Sequence, residues 1–160
     1  MQFKSIIAAI DLDDELAEGV VRAAASLAQK DGAGLQIVCV WPTLAATAPG
    51  FSAELGANSA VVTEALMEQH KEGRKDSLER LQALTNRLAP SGKAVVLDGE
   101  AADEVARYAK KLGADIIVTG SHQRNFWGAL FQGSASRELI REAPCAVFLV
   151  TKAFAKTLKA

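Results

Sequence analysis

Five short runs of apolar, often β-branched residues alternate with segments of helical periodicity, and this alternation is the strongest constraint on the fold. Apolar runs of this length are typical of parallel strands that are buried on both faces. The intervening segments predict helices that cover the sheet. We therefore expect an α/β protein with a Rossmann-like, doubly wound parallel sheet of five strands and helices on both faces. The runs are residues 3–10, 35–40, 94–97, 115–119 and 146–150.

The connections and the C-terminal end complete the predicted organisation. Residues 43–59 are rich in Ala, Thr, Gly and Ser, and they predict a long irregular connection. We assign residues 1–152 to a single domain and residues 153–160 to a short basic tail, which we expect to fray or dock weakly. Helical spacing of apolar residues predicts helices at residues 15–30, 60–89 and 102–112, and residues 137–142 are compatible with a further helix.

Composition and charge narrow the class of protein. The 160 residues suit one domain, and 18 Lys plus Arg balance 19 Asp plus Glu without forming a basic stripe, so nucleic acid is not an expected partner. The apolar runs are far shorter than the roughly 20 residues of a membrane span. No secretory leader opens the sequence, and we expect a cytoplasmic protein without membrane contact. Cys39 and Cys145 are interpreted as reduced, buried core residues.

The ends of two predicted strands form the candidate site. Asp11 directly follows the first strand, and Gly120 ends the fourth. Doubly wound sheets bind ligands at the carboxyl ends of their strands, where the winding reverses. Farther along the same connection, Gly133, Ser134 and Ser136 precede a helix, whose first N–H groups and dipole favour phosphate. In the alternative interpretation these residues have structural roles only: Asp11 caps the first helix, the glycines form ordinary turns and the serines are N-caps.

The connection after the fourth strand resembles that of the universal stress protein family. That family has a glycine, two residues, a second glycine, nine residues, and then a glycine followed by serine or threonine. Gly120, position 123 and Gly133-Ser134 have this spacing, but position 123 is Gln. Gln123 either blocks a site that needs glycine or hydrogen-bonds a ribose hydroxyl through its amide. The resemblance covers residues 3–150 and includes Asp11 at the end of the first strand.

The resemblance implies strand order 3-2-1-4-5 and an adenine nucleotide between the first and fourth strands. In members that bind ATP, the aspartate after the first strand lies near the adenine, and the glycine-rich connection wraps the ribose and phosphates. The expected cofactor is ATP, ADP or AMP, with or without Mg²⁺. The predicted nucleotide-binding residues are Ala9, Ile10, Asp11, Val40, Thr119, Gly120, His122, Gln123, Arg124, Gly133, Ser134, Ala135 and Ser136.

The family comparison also implies association. In this strand order the last strand, residues 146–150, lies at an edge and is too apolar to be left unpaired in water. The family pairs this strand across a homodimer, and we expect the same here; cover by the tail is the competing explanation. The predicted function is a stress-response protein that binds an adenine nucleotide and acts by regulated association with a protein partner that the sequence does not identify.

A second hypothesis rests on the same connection. In family members that bind no nucleotide, the corresponding connection resembles the Gly-x-His-Gln sequence of residues 120–123 and the Phe-Trp pair of residues 126–127. In this alternative the crevice is collapsed and the protein is a dimeric interaction module. Neither hypothesis includes catalysis, because no Walker-type lysine follows a glycine loop and no nucleophile stands beside a base, so ATP hydrolysis is at most slow. His122 lacks metal partners at ligand spacing, and no metal site is predicted.

Overall fold

The chain is described by a computed structural model at residues 2–43, 59–121 and 143–158, without the side chains of residues 59–63. The five predicted strands form one parallel sheet in the order β3-β2-β1-β4-β5, which confirms the predicted order. In chain order the elements are β1 (Ser5–Ala9), α1 (Ala17–Asp31), β2 (Gly34–Trp41), α2 (Ser59–Leu88), β3 (Lys93–Asp98), α3 (Ala101–Leu112), β4 (Ile116–Gly120), β5 (Ala146–Val150) and α4 (Lys152–Thr157).

Strand β1 lies at the centre of the sheet. Residues 6–9 have no exposed surface, and alternate residues contribute to two apolar clusters on opposite faces. The register places Ala9 opposite Val38 of β2 and Thr119 of β4. The carboxyl ends of these three strands therefore meet at one edge of the core.

Helices cover both faces of the sheet, as predicted. Val20 of α1 and Leu81 of α2 belong to one cluster, and Val105 of α3 belongs to the other. Helix α1 ends at Gly32 and α3 at Gly113, with φ of 67° and 64°, a left-handed conformation that glycine adopts without steric cost. None of the helices in the described residues combines the length and apolar character that crossing a membrane requires.

The C-terminal segment, which was expected to fray or dock weakly, forms helix α4 and docks on α1. The Thr151 side chain caps it by accepting a hydrogen bond from the N–H of Phe154 at 3.2 Å. Ala155 is buried against Gly19 of α1, where an added Cβ atom would lie 2.7 Å from Ala155 Cβ. Two small residues thus permit a close contact between α1 and α4. This contact does not involve the large apolar residues from which a buried helix face is usually predicted. The predicted domain boundary between residues 152 and 153 falls inside this helix.

Asp115 joins the amino ends of β1 and β4. Its Oδ2 accepts hydrogen bonds from the N–H groups of Lys4 at 2.7 Å and Ser5 at 2.9 Å. Its own N–H donates to the Ser5 carbonyl at 2.9 Å. The backbone hydrogen bonds from Lys4 and Ser5 hold the pKa of Asp115 below its usual value, because they stabilise the ionised carboxylate.

We expect Asp115→Asn to lower the free energy of unfolding at neutral pH, because a neutral amide accepts hydrogen bonds more weakly than a carboxylate. A lowered pKa in the folded state gives stability that is present above the unfolded-state pKa and is lost as pH falls through the folded-state pKa. The difference between the two proteins should therefore shrink below about pH 4. Urea unfolding at neutral and acidic pH measures it.

The matched control is Glu68→Gln, which removes an exposed carboxylate 3.8 Å from Lys71 Nζ. Such exposed pairs contribute little to stability. An equal loss of stability in both variants, or a difference that persists in acid, would contradict the role of Asp115.

Candidate functional site

A cleft of about 530 Å³ opens where β1 and β2 end. Ligand pockets in proteins typically measure roughly 300–1,000 Å³. Four segments form the cleft: the turn after β1, the end of β2, the middle of α2 and the turn before α3. The described residues that line it are Ile10, Asp11, Leu12, Asp13, Cys39, Val40, Pro42, Thr43, Ser77, Arg80, Gly99, Glu100 and Ala101.

Asp11 is the first polar residue after β1, and it lines the cleft. Its Oδ1 accepts a hydrogen bond from the N–H of Asp13 at 3.0 Å, which shapes the turn. The residue before α1 is bonded by Asp14 and not by Asp11, because Asp14 Oδ1 accepts a hydrogen bond from the N–H of Leu16 at 2.7 Å. The helix itself begins only at Ala17. The geometry thus places the Asp11 carboxylate at the cleft and gives the helix entry to another residue.

Helix α2 closes one side of the cleft with Ser77 and Arg80. Arg80 Nη2 donates to Asp13 Oδ1 at 2.6 Å, and Arg80 Nη1 lies 3.9 Å from Asp76 Oδ2. The hydrogen bond to Asp13 raises the pKa of Arg80, so the guanidinium stays charged. Because both members of the pair are exposed to water, the pair adds little stability. Its main effect is to fix α2 relative to the turn after β1.

The turn between β3 and α3 forms a further wall. Gly99 has φ of 143°, a region that only glycine adopts readily, and an added Cβ would lie 2.7 Å from Glu104 Cγ. Next to it, the Glu100 side chain accepts hydrogen bonds from the N–H of Ala102 at 2.9 Å and of Asp103 at 3.4 Å. The first amide groups of α3 are therefore bonded within the chain, so this helix start is not arranged to bind an anion.

Cys39 lies on the floor of the cleft and is buried. Burial, followed by the negative charge of Asp11, raises the pKa of Cys39 to about 12, although Arg74 and Arg80 act in the opposite direction. A thiol with this pKa is not a nucleophile at neutral pH. Cys39 therefore serves as an apolar surface, as predicted, whereas Cys145 is only half-buried; neither is in a disulfide.

Trp41 and His70 fix α2 against the end of β2, next to the cleft. Trp41 Nε1 lies 2.9 Å from His70 Nε2, which is also 2.8 Å from the carbonyl oxygen of Pro42. Nε2 accepts from Trp41 when the ring proton is on Nδ1, and it donates to Pro42 when it carries the proton itself. The Trp41 ring packs on Gly73, where a Cβ would lie 2.7 Å from the nearest ring carbon. Glycine in this helix is therefore required by a close approach.

The structure brings together only part of the predicted site. Ile10, Asp11 and Val40 line the cleft, whereas Ala9 and Thr119 are buried register partners within the sheet. Gly120 pairs with Val150 of β5 and is not among the described lining residues. The other predicted residues lie outside the described part of the chain: His122, Gln123, Arg124, Gly133, Ser134, Ala135 and Ser136.

Sequence analysis missed the contribution of α2 to the cleft. Ser77 lies on the buried stripe of the helix with Leu81 and Leu84, and a polar residue on an apolar stripe was the available signal. Arg80 carries no local signal of a role at the cleft, because its partner Asp13 is 67 residues away in sequence. In the part of the chain that the structure describes, no three His, Cys, Asp or Glu residues are grouped in a way that would hold a metal ion.

Comparison with known proteins gives consistent matches over nearly the whole chain. The model of the universal stress protein family matches residues 2–151. The universal stress protein in QAH/OAS sulfhydrylase 3'region of Thermus aquaticus is 32% identical over 148 residues, which make up 92% of this chain and 98% of the relative. Universal stress protein G of Escherichia coli O157:H7 is 32% identical over 152 residues, with 92% and 99% of the two chains covered.

Solved structures share the fold. UspA from Lactobacillus plantarum superposes with a TM-score of 0.59 at 22% identity and covers 94% of this chain and 99% of its own. Three similar structures are nucleotide complexes. A universal stress protein in complex with cAMP has a TM-score of 0.53 at 17% identity and covers 94% of this chain and 98% of its own. The protein from Archaeoglobus fulgidus in complex with dAMP has a TM-score of 0.54 at 22% identity and covers 93% and 98% of the two chains. The protein from Arabidopsis thaliana with AMP bound has a TM-score of 0.52 at 13% identity and covers 92% and 91%.

The fold and the cleft define a doubly wound α/β protein with a ligand-sized site at the carboxyl ends of its central strands. The family match and the relatives at 32% identity take the identification one step further. The chain belongs to the universal stress protein family.

We expect Gly73→Ala to destabilise the protein by about 1–3 kcal/mol, because the added methyl group displaces the Trp41 ring and overpacking of this kind outweighs the higher helix propensity of alanine, worth about 1 kcal/mol. Urea unfolding measures the difference. In a Trp41→Phe background the smaller ring removes the close contact, and the same Gly73→Ala change should then be neutral or stabilising. Stabilisation by Gly73→Ala in the unaltered chain would contradict this account.

Proposed function

We propose that this protein binds an adenine nucleotide in the cleft at the end of β1. The observation that carries the proposal is a cleft of about 530 Å³ with an apolar floor, formed by Ile10, Cys39 and Val40, and a carboxylate at its border, Asp11. A purine ring has two apolar faces and a polar edge, which suits a pocket of this composition. The family complexes with cAMP, dAMP and AMP support an adenine nucleotide as the ligand class.

The phosphate-binding segment, the choice of nucleotide and the cellular role are proposed from the sequence. We assign the phosphates to the glycine-rich connection of residues 120–136, where Gly133-Ser134 matches the family pattern. ATP, ADP and AMP are the candidate ligands, with or without Mg²⁺. The proposed role is in the cytoplasmic stress response, through association that the nucleotide regulates rather than through catalysis. The interaction module with a collapsed crevice is the alternative, and the residues that motivate it, 122–127, lie outside the described part of the chain.

Calorimetric titration with AMP and with ATP plus Mg²⁺ tests the nucleotide proposal. We expect saturable binding, and we expect Asp11→Asn to weaken it by about tenfold, because hydrogen bonds to a charged group are worth roughly 1.5–3 kcal/mol. Asp115→Asn is the matched control: it makes the same chemical change at the opposite end of the sheet. This control variant should bind like the unaltered protein at neutral pH.

Absence of binding heat, together with no thermal stabilisation by any adenine nucleotide, would overturn the nucleotide proposal and favour the interaction module. Equal weakening by Asp11→Asn and Asp115→Asn would show that the loss comes from reduced folding stability and not from the cleft.

We further propose that β5 pairs antiparallel with the same strand of a second copy. The backbone hydrogen bonds that flank β5 run toward β4: the N–H of Ala146 donates to Asp115, and the carbonyl of Val150 accepts from Ser121. The register with β4 then directs the N–H groups of Val147 and Leu149 away from β4. Leu149 is 39% exposed at this edge. Helix α4 contacts β5 through the rings of Phe154 and Phe148, 5.9 Å apart, so the tail covers a face of the strand.

Sedimentation analysis tests the pairing. We expect the unaltered protein to sediment as two chains and Leu149→Lys to sediment as one, because a charged lysine on an edge strand opposes pairing. Met67→Lys is the matched control, since Met67 is an exposed apolar residue on α2, away from β5. A single-chain mass for the unaltered protein, or a two-chain mass for Leu149→Lys, would contradict the proposed interface.

A further inference from the structure

Ser77 is a buried polar residue on the wall of the cleft. Its relative exposure is 7%, and it lines the cleft from α2. Within residues 2–43, 59–121 and 143–158, its hydroxyl makes no hydrogen bond. The hydroxyl oxygen itself keeps contact with water, so in the ligand-free protein it is hydrated from the cleft. A hydroxyl without a protein partner on the wall of a ligand-sized cleft can exchange this water for a polar atom of a ligand.

Thr85 on the same helix shows the usual arrangement. It is 2% exposed, and its hydroxyl donates to the carbonyl of Leu81, one turn earlier, at 2.7 Å. Such back-bonding satisfies a hydroxyl inside a helix without any external partner. Ser77 lies two turns before Thr85 on the same buried stripe and does not make the equivalent bond. The difference between the two residues is that Ser77 lines the cleft and Thr85 does not.

The position of Ser77 is fixed by contacts on either side of it. One turn toward the N-terminus, Arg74 makes a two-point contact with Asp98 at the end of β3, at 2.6 and 2.8 Å. One turn toward the C-terminus, Arg80 donates to Asp13 at 2.6 Å. The charges of both arginines are thus engaged within the chain. The Ser77 hydroxyl, which has no partner among the described residues, is held by α2 at a defined place beside the cleft floor.

We propose that the Ser77 hydroxyl is a ligand-binding group that donates a hydrogen bond to a ring nitrogen on the edge of the bound purine. This inference rests on the proposed nucleotide function and adds to it a specificity-determining residue on α2. A hydroxyl can donate where a carboxylate only accepts. Ser77 and Asp11, on two elements that line the cleft, therefore offer complementary groups: Ser77 suits a ring nitrogen, and Asp11 suits an amino or hydroxyl group of the nucleoside.

Binding of adenosine to the unaltered protein and to Ser77→Ala tests the proposal, because adenosine carries the base without the phosphates. We expect Ser77→Ala to weaken adenosine binding about fivefold to tenfold, the usual worth of one hydrogen bond. The deaza analogues, in which a CH group replaces one ring nitrogen, identify the partner atom. For one of these analogues the unaltered protein should lose its advantage over Ser77→Ala.

The control is Thr85→Val, which also removes a buried hydroxyl from α2 but outside the cleft. It should leave adenosine affinity unchanged and lower the unfolding temperature, because it breaks the bond to Leu81. Ser77→Ala should instead leave the unfolding temperature of the ligand-free protein nearly unchanged, since its hydroxyl makes no hydrogen bond within the described part of the chain. A merely structural serine would not give this combination of weaker binding and undiminished stability.

The outcomes separate this inference from the nucleotide proposal. If the unaltered protein binds AMP and Ser77→Ala binds adenosine equally well, only the role of Ser77 is overturned. A uniform loss across all deaza analogues also overturns it, because the hydroxyl then acts through packing and not through a ring nitrogen. If the unaltered protein binds AMP but not adenosine, the base is not held at Ser77. If it binds neither, both proposals fail together.

Discussion

Strand β1 has a hydrogen-bonded neighbour along each edge and a helical layer against each face, so residues 6–9 are entirely removed from water. Such a strand must satisfy all its backbone groups inside the sheet, and the N–H of Ile10 continues this pairing beyond β1 by donating to Val38 at 2.9 Å. The chain then has to leave the core. Asp11, the first polar residue after that point, consequently lies at the carboxyl edge of the sheet, where the cleft opens.

Helix α2 is the element that converts this open edge into an enclosed site. Arg74, Arg80 and Arg87 lie about two turns apart and pair with carboxylates at the end of β3, in the turn after β1 and in α1, respectively. Each pair is exposed and individually weak. Because the three partners belong to different parts of the fold, rotation or sliding of α2 would break several pairs at once. The buried stripe of the same helix, with Leu81 fully enclosed, adds apolar packing to this restraint.

The predictability of each feature depends on whether its physical cause is local. Strands β1 and β4 could be predicted because burial on both faces requires an apolar sequence. The prediction that β1 and β4 are neighbours in the sheet came from the family resemblance, because hydrophobic periodicity does not say which strands pair. Asp11 could be placed at the site by its position after a strand. Helix α4 could not be predicted from large apolar residues, because it docks through Ala155 on Gly19. Ser77 and Arg80 depend on partners distant in sequence, and neither has a local signature of binding.

The charges around the cleft bear on how a nucleotide would be oriented in it. Arg80 is paired with Asp13, and the first amide groups of α3 are bonded to Glu100. Asp11 adds a further negative charge, so this part of the cleft is unfavourable for phosphates and better suited to an uncharged base and sugar. The phosphates of a bound nucleotide would then extend away from the acidic turn after β1. The sequence after β4 contains the groups suited to receive them, with Gly133-Ser134 at a predicted helix start. Base recognition at β1 and α2, and phosphate recognition after β4, would therefore depend on separate parts of the chain.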